Sequence, residues 1–209
     1  GTPRRTGLLE SAGVPAAAPA PLEVSDDPCW VLLSSTGLLA RTTGDDPLPT
    51  EGPRAKHDVI ISAVRSTARG EVAAVTSAGR LMRLGVLDVP AVPTTATAPN
   101  LSGGAPVSEF LSLDKGEQVL ALCSLDLDSP GLALGTAQGV VKRVTPDYPQ
   151  NKDAWEVVGL KDGDRVVGAV ALATDEVDLV FVTSDAQLLR FAAAAVRPQG
   201  RAAGGMAGI

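Results

Sequence analysis

At 209 residues and 44% hydrophobic content, the chain suits one domain or one repeat array with a sizeable core. A formal net charge of −6 argues against a strongly basic nucleic-acid binder. One histidine, His57, and two distant cysteines, Cys29 and Cys123, supply no Ser-His-Asp, Cys-His or zinc constellation, and no apolar run approaches the roughly 18 residues of a membrane span.

The first 23 residues are rich in alanine and proline, and Glu10 and Glu23 interrupt the stretch, so no signal-like apolar core is present and a cytoplasmic chain is predicted. Beyond them, Val, Leu, Thr and Ala come in short runs ended by turn residues, with 22 glycines and 16 prolines and no long amphipathic helical stretch. That pattern predicts an all-β chain with little helix. Four segments share a Ser or Thr, a turn, and an arginine seven residues on: SSTGLLAR from Ser34, TSAGRLMR from Thr76, TAQGVVKR from Thr136 and TSDAQLLR from Thr183. Each follows an apolar run and reads as a β-hairpin. Gly37, Gly79 and Gly139 supply the positive φ of the tight turn, and Asp185 beside Ala186 substitutes in the fourth.

The hairpins recur after 42, 60 and 47 residues, near the spacing of four-stranded propeller blades. Val59, Val119 and Val166 each open an apolar strand 17 residues before the Thr of a hairpin. Leu113-x-x-Gly116-Glu117-x-Val119 and Leu160-x-x-Gly163-Asp164-x-Val166 extend the match. Repeat units are predicted near 22–50, 57–100, 106–155 and 156–209. Apolar residues occupy both parities of these strands, as expected of blades packed on both faces. Cys29 and Cys123 read as buried thiols, and Tyr148, between Asp147 and Pro149 in a turn after a hairpin, as a surface or edge aromatic. Asp26, Asp27, Asp45, Asp46, Asp126, Asp128, Asp175 and Asp178 put much of the acid in linkers, whereas the arginines recur in register. A basic stripe on an acidic body is the expectation.

PRRT at 3–6, GRLMRLGVLDVP at 79–90, GVVKR at 139–143 and RPQGRAAGGMAGI at 197–209 together resemble the C-terminal domain of the A subunit of bacterial type IIA topoisomerases. The last stretch carries the most specific match: Arg197, Pro198, Gly200, Arg201, Gly205, Gly208 and Ile209 follow a blade-junction motif. The resemblance implies a β-pinwheel, a propeller-like disc of four-stranded blades that exchange strands. It also implies a disc incomplete at its C-terminus, because the family continues into another Leu-x-x-Gly-Asp strand. It further implies a non-catalytic domain that binds and bends duplex DNA at its rim through Arg41, Arg83, Lys142, Arg143, Arg190, Arg197 and Arg201. Alternatively, strand-end arginines are edge charges that block association.

The implied partners are double-stranded DNA, the catalytic N-terminal part of the same polypeptide, and an ATPase B subunit in an A2B2 holoenzyme, with no membrane partner. The holoenzyme would use ATP and Mg2+; no catalytic residue, metal or cofactor is expected in this domain. Localisation would be cytoplasmic and nucleoid-associated. The stretch after Arg41 keeps only Gly52, Arg54 and Lys56 of the glutamine- and glycine-rich basic box of gyrase, which favours topoisomerase IV, a decatenating and relaxing enzyme. A gyrase domain with a degenerate box and a propeller used as a protein-interaction scaffold are the alternatives.

Overall fold

The structure, a computed structural model, describes residues 23–49, 59–94, 97–173, 178–182, 188–201 and 203–208. The segment 3–6, the box remnants Gly52, Arg54 and Lys56, His57, Asp175, the turn of the fourth hairpin with Asp185 and Ala186, and Ile209 lie outside the described residues.

The strands are short and run in the order β1 (Pro28–Ser34), β2 (Leu38–Thr42), β3 (Ile60–Thr67), β4 (Glu71–Thr76), β5 (Arg80–Gly85), β6 (Ala91–Val92), β7 (Ala105–Pro106) and β8 (Val119–Ser124). They continue with β9 (Leu132–Thr136), β10 (Val140–Val144), β11 (Ala154–Glu156), β12 (Val166–Ala171), β13 (Asp178–Val182), β14 (Leu188–Ala192), β15 (Pro198–Gln199) and β16 (Met206–Ala207). Among the described residues the only helical pieces are three single turns of 3₁₀ helix at Leu101–Gly103, Val107–Glu109 and Ala193–Ala195.

All four predicted hairpins form: β1–β2, β4–β5, β9–β10 and β13–β14 are antiparallel pairs. Gly37, Gly79 and Gly139 have φ of 83°, 74° and 81°. The repeated Ser or Thr seals the turn. Its carbonyl accepts from the glycine N–H at 3.0–3.1 Å. The Ser34, Thr76 and Thr136 hydroxyls accept from the N–H four residues on, at 3.0, 3.4 and 3.2 Å. All three side chains are buried, so these bonds satisfy polar groups that water does not reach.

The strand that precedes a hairpin in sequence does not join that hairpin. β3 pairs with β1, β8 with β4, and β12 with β9. Each sheet is therefore built from one hairpin and the apolar strand of the next unit. The outer edge also comes from the next unit: β6 and β7 line β2, β11 lines β5, and β15 and β16 line β10. Three sheets share this plan, while β13 and β14 pair only with each other among the described residues. A register shift falls beside Ser34, Thr76 and Thr136 alike, where the incoming strand bends past the turn. Val119 and Val166 open their strands as predicted. Val59 stays one residue outside β3, its carbonyl and N–H taken by the Ser35 N–H (2.7 Å) and hydroxyl (3.2 Å).

β4 illustrates why both parities are apolar. Val72 and Ala74 enter one core cluster with Leu33, Leu39 and Leu122, whereas Ala73 and Val75 enter another with Leu132, Leu134, Trp155 and Val166. The second sheet is thus covered on both faces by its neighbours. Across the innermost strands, the Ser62 hydroxyl on β3 accepts from Leu122 N (2.9 Å) on β8 and donates to its carbonyl (3.4 Å). Cys29 and Cys123 are buried free thiols, and burial pushes Cys123 up to about 12.

The Leu-x-x-Gly-acid motif latches each incoming strand to the hairpin it completes. Gly116 and Gly163 turn at φ of 82° and 75°. Glu117 then accepts from Arg80 Nε and Asp114 N, both at 2.9 Å, and from the Thr76 hydroxyl at 2.5 Å. Asp164 accepts from Gln138 N at 3.0 Å at the third hairpin. The Glu117 side chain is only 2% exposed. The Arg80 guanidinium, with help from Thr76 and the Asp114 N–H, holds its carboxyl at about 2, against an ordinary 4.5. The folded-state value is depressed, so this stabilisation is complete above pH 4.5 and fades as pH falls toward 2. Glu117→Gln is expected to cost about 2–3 kcal/mol at neutral pH, with the gap to wild type closing below pH 4. Urea unfolding across a pH series checks this, and a gap that persists unchanged at pH 2.5 contradicts it.

Candidate nucleic-acid interface

The seven cations expected at the rim separate into distinct environments. Arg41, Arg83 and Arg143 lie in the second half of the second strand of their hairpins, where the next unit's outer segment docks: Arg41 pairs with Ala91, Arg143 with Pro198, and Arg83 N donates to Asp153 O at 2.7 Å. Their guanidinium groups grip that passing chain or a nearby turn. Arg41 Nε donates to Val89 O at 3.0 Å, and Arg143 Nη2 to Pro130 O at 3.5 Å. Arg83 donates to the Pro149 and Lys152 carbonyls at 2.8 and 3.3 Å and to Glu71 at 2.8 Å, and lies 5.5 Å from the Trp155 ring. The sequence register that marks these arginines is thus the register of strand exchange.

Two of the expected phosphate contacts are corrected outright. Lys142 is 1% exposed and Arg143 7%, so neither presents its charge outward. The reason is that β10 is flanked on one edge by β9 and on the other by β15 and β16, and its side chains are covered on both faces. Lys142 Nζ donates instead to three carbonyls, Val157 (2.6 Å), Arg201 (2.9 Å) and Ala203 (2.6 Å). Burial pulls its pKa down to about 8, with Asp147 opposing the shift. Arg190 pairs with Val180 in the fourth hairpin, and its side chain lies outside the described residues.

Arg197 is exposed, and Arg201 is partly exposed with Nε 3.7 Å from Asp147. Both sit on the junction segment that crosses to the third sheet. Gly205 turns there at φ 84°, where an added Cβ would stand 2.6 Å from Val140 Cγ1 and 2.8 Å from Val141 O. Gly200 faces open space and Gly204 makes only ordinary contact, so of these three the tight crossing rests on Gly205.

Other solvent-facing cations were not singled out from the sequence: Arg65, Arg69, Lys115, Lys152, Lys161 and Arg165 are exposed. No repeat position marks them, since they lie on turns and strand faces that differ between units. Arg65 and Arg83 also border a cleft of about 550 Å³ between sheets, shared with Glu71, Asp126 and Tyr148. Tyr148 corrects the expectation of a surface aromatic. It is 6% exposed and packs against Trp155 with ring centroids 5.7 Å apart, and burial raises its pKa. Among the described residues no group of three His, Cys, Asp or Glu is arranged to hold a metal, and no helix is long and apolar enough to cross a membrane.

The family profile described as the DNA gyrase C-terminal domain, beta-propeller, matches residues 178–209. The DNA gyrase A protein of Mycobacterium bovis is 34% identical over 140 residues, 64% of this chain and 16% of that protein. The DNA gyrase A protein of Staphylococcus epidermidis is 29% identical over 158 residues, 73% of this chain and 17% of that protein. The chain thus aligns with about a sixth of the length of these relatives. Among solved structures, the C-terminal domain of DNA topoisomerase IV superposes with a TM-score of 0.64 at 18% identity, covering 88% of this chain and 57% of the other. The E. coli ParC C-terminal domain superposes at 0.57 and 20%, covering 87% and 71%. The profile is that of a gyrase C-terminal domain, the sequence relatives are gyrase A proteins, and the structural neighbours are topoisomerase IV and ParC C-terminal domains; the fold is the all-β pinwheel.

Gly205→Ala is expected to destabilise the chain by about 1–3 kcal/mol through backbone strain and the clash with β10, whereas Gly200→Ala should shift stability by less than about 0.5 kcal/mol. Thermal unfolding of the two variants checks this; equal shifts would remove the special role of Gly205.

Proposed function

We propose that this chain is the non-catalytic duplex-DNA-binding and bending domain of an ATP-dependent type IIA topoisomerase, presenting DNA to a cleavage core carried elsewhere in the enzyme. The observation that supports it most is the exposure of Arg197 and partial exposure of Arg201 on the junction that joins successive blades, in a fold shared with gyrase and topoisomerase IV domains. Binding would be to backbone phosphates, modest and steeply salt-dependent on an acidic body. This reading invokes no base readout by a helix, since the described residues contain no recognition helix. In this reading Tyr148 is a core aromatic and the chemistry belongs to the rest of the polypeptide, working with an ATPase B subunit in an A2B2 assembly that uses ATP and Mg2+.

Two observations pull the choice of enzyme in different directions. The stretch after Arg41 lacks the glutamines of the gyrase box, which favours a decatenating and relaxing topoisomerase IV. The relatives at 34% identity are gyrase A proteins, which favours a supercoiling enzyme. Supercoiling and decatenation assays on the holoenzyme, with and without this domain, decide between them.

For the domain itself, Arg197→Ala with Arg201→Ala is expected to weaken binding to all duplex sequences about equally and to make the slope of log K against log salt shallower by roughly 1 to 2. Duplex affinity across a salt series checks this, once both proteins are found to melt alike. An unchanged slope would move the weight to edge charges and an interaction scaffold.

A further inference from the structure

The residue before the terminal arginine of each hairpin is Ala40, Met82, Lys142 and Leu189. Ala40 and Met82 are buried at 0% and 6% exposure, as an apolar position between two packed faces requires. Lys142 fills the equivalent place at 1% exposure, where an ammonium is costly to bury unless its donors are used. All three of its N–H donors have carbonyl partners: Val157, just past β11, and Arg201 and Ala203, in the crossing between β15 and β16. β11 completes the second sheet and β15 and β16 complete the third, so one buried charge ties together the outer segments of two neighbouring blades. The Arg201 carbonyl it holds belongs to a residue that lines a cleft of about 640 Å³, together with Asp147, Lys152 and Glu156.

We propose that Lys142 is a positioning residue for the rim. By capping the Arg201 and Ala203 carbonyls from inside, it docks the junction 197–208 on β10 and so sets where Arg197 and Arg201 are presented to a duplex. This deepens the DNA-binding reading and rests on it. Strand pairing of β15 and β16 is only two residues long on each arm, too short to hold the crossing by itself. An apolar residue at 142 would fit the packing, as Met82 does in the second sheet, but would leave three carbonyls without their donor, the buried one of Val157 and the partly buried ones of Arg201 and Ala203.

The test uses Lys142→Met and Lys142→Gln in this chain, with hydrogen exchange read segment by segment and duplex affinity measured at fixed salt. Lys142→Met is expected to raise exchange of amides 199–208 at least tenfold while β4 and β8 keep their protection; Lys142→Gln, which retains two donors, should fall between. Lys142→Met should weaken duplex binding by about as much as the Arg197→Ala, Arg201→Ala pair, with no further loss when all three are combined. Because burial lowers the Lys142 ammonium to about 8 against the opposing pull of Asp147, wild-type affinity should fall severalfold between pH 7 and 9.5 and that of Lys142→Met should stay flat. Unchanged exchange at 199–208, or affinity losses that add, would overturn the proposal. If the arginine pair binds DNA as wild type does, the duplex reading fails, while the exchange experiment still decides whether Lys142 docks the junction.

Discussion

None of the first three hairpins makes a blade by itself. A two-stranded hairpin leaves two hydrogen-bonding edges and two apolar faces open, and here both edges are closed by residues of the following unit: β3 and β6 for the first hairpin, β8 and β11 for the second, β12 and β15 for the third. Because the donated strands come from two different stretches of the next unit, each blade is stapled to its neighbour on its inner and outer sides. The remaining features serve that exchange. The Ser or Thr that seals each turn, the register shift beside it and the Leu-x-x-Gly-acid latch all lie where an incoming strand meets a hairpin it did not precede.

The cations follow the same logic. A guanidinium at the end of the outer hairpin strand finds the carbonyls of a chain that crosses it without forming a full ladder, and Arg41 and Arg83 take them. Arginine suits this because its planar fork reaches more than one carbonyl while its stem stays packed. Where the crossing chain bends away from β10, a compact ammonium at Lys142 does the work from inside. In the DNA-binding reading proposed above, the charge left for a polyanion is the charge these duties do not consume, which puts the weight on Arg197, Arg201 and the turn cations. A chain of net charge −6 can therefore carry a local basic edge, since attraction to phosphate is decided within about 10 Å at moderate salt.

Much of the fold is legible in the sequence because its signals are local. The positive-φ glycines at 37, 79 and 139, the 17-residue offset and the apolar residues of both parities identify hairpins, donated strands and two-faced packing. Which hairpin a donated strand joins is not local; periodicity is the same whether β8 pairs with β4 or with β9, and only the family resemblance carried the exchange. The site is less legible for a related reason. An arginine in register looks the same whether it meets a phosphate or a passing carbonyl. Lys142 held a clue in its neighbours, since a strand apolar on both parities leaves no outward face, and Ala40 and Met82 occupy its place elsewhere. Tyr148 sits in a turn by sequence, yet the aromatic that covers it, Trp155, arrives only once β11 docks on β5.

If exchange of strands is what holds the disc together, the blades must unfold as one. The chain has two tryptophans, Trp30 on β1 of the first sheet and Trp155 on β11 of the second, so Trp30→Phe and Trp155→Phe each leave one reporter in one blade. Equilibrium unfolding in urea, followed in each variant by fluorescence and by far-ultraviolet circular dichroism, is the direct measurement. The account predicts that in both variants the fluorescence and dichroism midpoints coincide in a single transition. A first-blade reporter that unfolds separately from the bulk signal, leaving the second blade intact, would contradict it.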